Sequence, residues 1–293
     1  MTQPTDLASP DVAELEDLAR QARAHIVRTI ASAHGGHLGG PLSVIDMLIA
    51  LYFRVLNIKP EEPAWPDRDR LVLSKGHSSI ALYTALAMRG YFPIAELSTF
   101  DSINSRLQGH PDMTVTPGVD MSSGSLGLGF SGALGIALGG RAAKKDFTTY
   151  AILGDGECNE GIVWEAAHVA PRHGIDNLVV LVDHNKLQQY GWRGDRQEHR
   201  LPPYTGTQLV DRWSAFGWRV LEMNGHDMAE ILATIEAAKA SRGAPVAIIA
   251  HTVKGKGVSF MENDYTWHAR VPNKEEAAAA LAELGEPTSG GGS

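Results

Sequence analysis

The sequence predicts an α/β protein with a central, mostly parallel sheet covered by helices on both faces. Four short β-rich runs, apolar but for Arg219, lie at 150–153, 178–182, 218–221 and 246–249. Each adjoins a segment whose apolar residues recur at helical spacing, and strands that are apolar throughout are buried on both faces, as parallel strands are. Gly154-Asp155-Gly156 directly follows the run ending at Leu153, at the carboxyl end of a strand, where such sheets bind ligands.

The helical segments follow in order. Ser9-Pro10-Asp11 reads as an N-cap with proline in the first turn. Val12, Leu15, Leu18, Ala19, Ala22, Ile26 and Ile30 then repeat at helical spacing. A second apolar helix is expected over 41–56, and Pro60, Pro63 and Pro66 make the following stretch a loop. Further helical patterns fall near 78–88, 163–173 and 228–241. The uncharged stretch 121–140 contains seven glycines. That is too many small residues for a lipid-facing span, and it suggests close backbone packing against a ligand or another helix. No fixed-period repeat occurs. One domain is expected over 1–287, followed by a flexible Gly/Ser-rich tail at 288–293.

Charge and cysteine usage narrow the function classes. With 26 Lys+Arg against 34 Asp+Glu the net charge is −8, and the basic residues are scattered. This argues against a nucleic-acid or anionic-membrane surface. Cys158 is the single cysteine, so no intrachain disulfide can form, which fits a reducing cytoplasm. Residues 1–10 lack the basic and apolar regions of a secretory signal.

The strand ends supply a metal and phosphate chemistry. The glycines of Gly154-Asp155-Gly156 allow an anion to approach the backbone, and Asp155 offers a hard oxygen. Asn185 follows the next strand, where its amide oxygen is placed to be a second ligand, and a nearby carbonyl such as that of Leu187 could be a third. Three protein oxygens completed by a diphosphate and water suit Mg²⁺. An isolated Gly-Asp-Gly is most often a tight turn. Here twenty-eight residues separate it from Asn185, and this identity and spacing resemble the signature of thiamine-diphosphate enzymes.

Four of the twelve histidines follow glycine: His37, His77, His110 and His226. A lone histidine is usually structural. Repeated Gly-His loops are more pointed, because imidazole binds phosphate and sugar hydroxyls and moves protons near neutral pH. A set of ordered motifs then resembles transketolase. They are Gly35-Gly36-His37-Leu38-Gly39-Gly40, the run from Asp67 to His77, Gly109-His110-Pro111, Ser123-Gly124-Ser125-Leu126-Gly127, Gly154-Asp155-Gly156 with Glu160-Gly161, Asn224-Gly225-His226-Asp227, and His251 to Gly257 with Trp267-His268. The resemblance covers roughly residues 12 to 285.

The resemblance implies a thiamine-diphosphate-binding fold and a set of roles. Asp155, Asn185 and the Leu187 carbonyl would bind Mg²⁺, which Ca²⁺ or Mn²⁺ could replace. His77 and His268 would contact the diphosphate with the backbone of Gly156, and Gly124 and Leu126 would touch the aminopyrimidine. His37, His110 and His268 would face the ketose hydroxyls and assist proton transfer. Glu160 and Glu165 would link paired cofactor sites across an interface. Two departures stand out. Leu38 takes a position that is often proline, and no stretch of this sequence resembles the pyrimidine-binding domain that in the family carries the cofactor-activating glutamate and the sugar-phosphate cations.

The expectation is therefore the N-terminal subunit of a split transketolase, transferring a two-carbon ketol unit from a ketose or its phosphate to an aldose. It would work in the cytoplasm with a separate C-terminal subunit, as an α2β2 heterotetramer. An E1-type 2-oxoacid dehydrogenase subunit or a deoxyxylulose-phosphate-synthase-like enzyme shares the Gly-Asp-Gly…Asn site. His110-Pro111 and His268 favour transketolase, because polyhydroxylated substrates need more hydroxyl partners. A non-catalytic cofactor-binding protein is the reading from a different class, and the intact Asp155, Asn185, His37 and His77 argue against it.

Overall fold

The computed structural model describes residues 10–189 and 205–286; the tail at 288–293 and Ser9 lie outside them. Five parallel strands form one sheet in the order β1-β2-β3-β5-β4. They are β1 (Arg70–Leu73), β2 (Thr149–Gly154), β3 (Leu178–His184), β4 (Arg219–Asn224) and β5 (Val246–His251). The register pairs Leu153 with Val182 and Val182 with Ile249. All four expected strands are present. β1 is additional to them: only Leu71, Val72 and Leu73 are apolar there, between a charged stretch and Ser74-Lys75.

Successive strand residues point to opposite faces, and each face has its own core. On one, Leu71, Tyr150, Ile152, Val179, Leu181 and Ile248 pack against α1 (Val12–Ala33), α2 (Gly39–Ala50), α3 (Ser79–Arg89) and α7 (Met228–Ala240). On the other, Val72, Ala151, Leu153, Val180, Val182 and Ile249 meet α4 (Leu128–Ala142), α5 (Gly161–Arg172) and α6 (Gly206–Ala215). The last helix, α8 (Lys274–Glu283), lies against α1.

Two local expectations are corrected. The N-cap of α1 is Asp11, which exchanges a capping box with Glu14, so Pro10 precedes the helix and is not in its first turn. α2 starts two residues before the expected 41, and its α-helix ends at Ala50 before a π-helical turn, Leu51–Val55. Most of the glycine-rich stretch is helical: α4 tolerates Gly129, Gly132 and Gly140 because they set close packing. A Cβ on Gly129 would stand 2.6 Å from Cα of Ser74, so this glycine lets the helix N-terminus sit on the end of β1.

Candidate functional site

The carboxyl ends of β1, β2, β3 and β5 open into one cavity of about 620 Å³. Every residue that the sequence marks as catalytic, cofactor-binding or metal-binding lines it. His37 and Gly124 come from loops, His77 from the turn after β1, and His110 from the loop before α4. Asp155, Gly156 and Glu160 follow β2, Asn185 and Leu187 follow β3, and His268 comes from a 3₁₀ turn, Tyr265–His268. Leu126 completes the set. Glu165 is exposed on α5, outside the cavity, and His226 does not reach it either.

His37, His77 and His268 form a triangle with ring centroids 5.0, 5.1 and 5.2 Å apart. Burial first, then the charge of neighbouring groups, holds His37 below the usual imidazole range. Burial first, then the Lys75 charge, pushes His77 down to about 2. Burial and Lys254 push His268 down to about 3. The three rings are therefore neutral at physiological pH in a cavity where lysines provide the positive charge. His110 stands apart, exposed at the rim, and a Cβ on Gly124 would come 3.3 Å from its ring.

Asp155 is 3% exposed and accepts the backbone N–H groups of Gly156 and Lys186, both at 2.7 Å. Burial, then the neighbouring Asp183 carboxylate, raises its pKa to about 6. A buried carboxylate without enough positive charge beside it is a place a cation would stabilise. The Asn185 amide is oriented by Ser43 and Asp183, each 3.3 Å from Nδ2, which leaves Oδ1 on the side of the Leu187 N–H. The oxygens of Asp155, Asn185 and Leu187 thus suit a hard divalent cation. The Nε2 of Gln188, also lining the cavity, is buried with no hydrogen-bond partner among the described residues.

Four polar residues that organise the site carry no clear mark in the sequence. Asp183 is fully buried and accepts hydrogen bonds from Lys75 Nζ, Thr252 Oγ1, Asn185 Nδ2 and, at 2.6 Å, Ser43 Oγ. These partners offset the cost of burial, and its pKa is lowered. Lys254 Nζ donates to the Leu187 carbonyl at 3.2 Å and to His268 Nδ1 at 2.7 Å. Glu157 accepts from Ser74 Oγ and from the N–H groups of Gly127 and Gly154, at 2.7 and 3.1 Å. It thereby joins the ends of β1 and β2 to the start of α4. Lys75 and Lys254 stand inside the motifs Ser-Lys-Gly-His and Val-Lys-Gly-Lys, and Asp183 two residues before Asn185. Those positions were the available signal.

A parallel sheet whose strand ends open into a cavity lined by hard oxygens and lysines belongs to the class of α/β proteins that bind anionic ligands beyond their strand ends. The family described as transketolase, thiamine diphosphate binding domain, matches residues 15–288. The chain belongs to the transketolase family. It is 44% identical to the 6-deoxy-6-sulfo-D-fructose transketolase subunit SqwG of Clostridium sp. (strain MSTE9), over 92% of this chain and 96% of that protein. It is 38% identical to an apulose-4-phosphate transketolase subunit of Phocaeicola vulgatus, over 94% and 95% of the two lengths. The crystal structure of transketolase from Campylobacter jejuni superposes with a TM-score of 0.86 at 31% identity, over 96% of this chain. The chain spans 44% of that transketolase, so the resemblance is to one part of a longer enzyme. Relatives of its own length are named as subunits, as expected for a split transketolase.

Proposed function

We propose that this chain binds thiamine diphosphate with Mg²⁺ and, with a separate pyrimidine-domain subunit, transfers a two-carbon ketol unit from a ketose or its phosphate to an aldose. The observation that carries the reading is the convergence of all eleven selected residues on one cavity. The bound cofactor supplies a nucleophilic carbon for the ketose carbonyl and an electron sink for C–C cleavage.

The chain's own residues do the rest. Asp155, Asn185 and the Leu187 carbonyl hold the cation. His77, the Gly156 backbone and the charges of Lys75 and Lys254 receive the diphosphate. Gly124 and Leu126 lie against the aminopyrimidine. His37, His110 and His268 donate to substrate hydroxyls and carry protons to and from the reacting oxygens. Neutral rings at His37 and His268 suit this task, because a neutral imidazole keeps one N–H to donate.

The partner subunit closes the cavity and brings the activating glutamate, giving an α2β2 assembly in the cytoplasm. Among the described residues no helix is long and apolar enough to cross a membrane. The outer face of α4 supports close apposition: Cβ atoms on Gly135 and Gly139 would meet nothing within 4 Å, and Leu128 is 46% exposed beside them. Glu160 at the cavity edge and the exposed Glu165 would then face a second site across the interface. The names of the two relatives point to sulfosugars and sugar phosphates as donors to test. The decisive experiment assays ketol transfer by this chain alone and after mixing with its partner. Activity should require both, and full turnover by the isolated chain would overturn the two-subunit reading.

A further inference from the structure

Among the Gly-His imidazoles, His226 is the one without a place in the cavity. Its Nε2 accepts the backbone N–H of Val253 at 2.8 Å. A backbone N–H can only donate, so Nδ1 carries the ring hydrogen and gives it to Asp46 Oδ2 at 2.7 Å. Asp46 is gripped by both terminal nitrogens of Arg23, and Arg23 Nε donates to the Lys256 carbonyl at 3.0 Å. One largely buried cluster, drawn from α1, α2 and the turn after β4, therefore holds a single short loop at residues 253 and 256.

Between those two points stands Lys254. The residue is 2% exposed, and its ammonium touches the Leu187 carbonyl and His268. Burial, then the charge of Lys75, pushes it down to about 8. An ammonium placed at that cost has to be held by its backbone. The same loop leans on the His37 segment, where Gly255 N–H donates to the Gly39 carbonyl at 3.0 Å. A Cβ on Gly39 would come within 2.9 Å of Lys254 Cγ, so the fit there is close.

We propose that His226 is a positioning residue for the diphosphate end of the site: by accepting the Val253 N–H, it fixes the backbone from which Lys254 enters the cavity. The inference rests on the cofactor reading above. The competing explanation is that His226 only fastens the turn after β4 to α2. Fastening would affect melting, whereas positioning affects cofactor affinity through Lys254.

The test is calorimetric titration of thiamine diphosphate, at saturating Mg²⁺, into the complete two-subunit complex. In His226→Gln the side-chain oxygen can accept from Val253 but cannot also serve Asp46. In His226→Asn the amide nitrogen can serve Asp46 while the Val253 N–H is left unmet. His226→Gln is expected within about threefold of wild-type affinity and His226→Asn about tenfold weaker, the usual size for one stranded buried donor. His226→Asn combined with Lys254→Met should bind no more weakly than Lys254→Met alone, since the first change acts through the second residue. Wild-type affinity in His226→Asn, or a full additive loss in the double variant, would overturn the proposal. Should the variants not fold, the ring ¹⁵N spectrum of the wild-type chain decides: the Nδ1–H form supports the proposal and the Nε2–H form sinks it. Absence of thiamine diphosphate binding in the wild-type complex would instead remove the functional reading, and this inference with it.

Discussion

The backbone N–H of Leu38 donates to the carbonyl oxygen of His268 at 3.3 Å. This bond ties the loop of His37 to the loop of His268, two imidazoles whose centroids lie 5.1 Å apart. A proline at 38, common in the family this chain resembles, has no N–H to give. Leu38 also has φ −120°, far from the roughly −65° that a proline ring imposes. Leu38→Pro is therefore expected to cost about 1–3 kcal/mol of stability and to lower turnover more than cofactor affinity. Thermal melts and steady-state kinetics of the reconstituted complex check this, and an unchanged variant would mean that the two loops are held by other contacts.

Replacing Asp155 tests the metal assignment. Asp155→Ala removes a hard oxygen ligand and leaves the diphosphate charge poorly compensated. Cofactor affinity in the presence of Mg²⁺ should fall by about two orders of magnitude or more, with the fold intact by circular dichroism. Since the free carboxylate is costly to bury, the variant's thermal midpoint should be no lower than that of the cofactor-free wild type. Calorimetry showing wild-type affinity would disprove the assignment.

The histidines should divide into two groups. His37→Ala and His110→Ala are expected to spare cofactor binding and to slow turnover by about 10²-fold or more, the usual weight of a lost proton-transfer group. His77→Ala should weaken cofactor binding instead. Three variants with wild-type kinetics would make the Gly-His loops purely structural.

Acid stability reports on Asp46. Burial alone would raise its pKa, but the Arg23 charge and the hydrogen bonds from His226 and Arg23 outweigh it, and the net direction is down. A carboxyl whose folded pKa is depressed adds stability that is fully present above its unfolded value, about 3.9. That stability is lost as the pH falls through the lower folded value. Asp46→Asn strands the buried Arg23, so it should lose about 3–5 kcal/mol at neutral pH. Its disadvantage should then narrow below about pH 4. Urea melts across pH would show it, and parallel curves for the two proteins would count against the ion pair.

Much of the site was legible because its chemistry is written in short, ordered motifs at strand ends. Asp155, Gly156 and Asn185 follow β2 and β3 as the spacing required, and His37, His77 and His268 meet as a triangle. The buried charges were harder to see. Lysine is almost never fully buried, so nothing in the composition marked Lys75 and Lys254, exposed by 2% each, as interior residues. Asp183 looked like an ordinary strand residue because three of its four partners, Ser43, Lys75 and Thr252, come from distant segments. α4 was not legible as a helix because glycine disfavours one by about 1 kcal/mol per residue; contacts such as that of Gly129 with Ser74 override the propensity. His226 shared the Gly-His pattern of the cavity residues, yet its ring turns toward Asp46.

The four hydrogen bonds converging on Asp183 reach Ser43, Lys75, Asn185 and Thr252, residues from four separate stretches of chain. A change at any one of them disturbs the other three through a shared acceptor. Drift or redesign at the diphosphate end must therefore move these positions as a set. At the exposed rim around His110 the shared acceptor is Asp112, which joins only Thr114 and Ser122, so adaptation to a new sugar has freer room there.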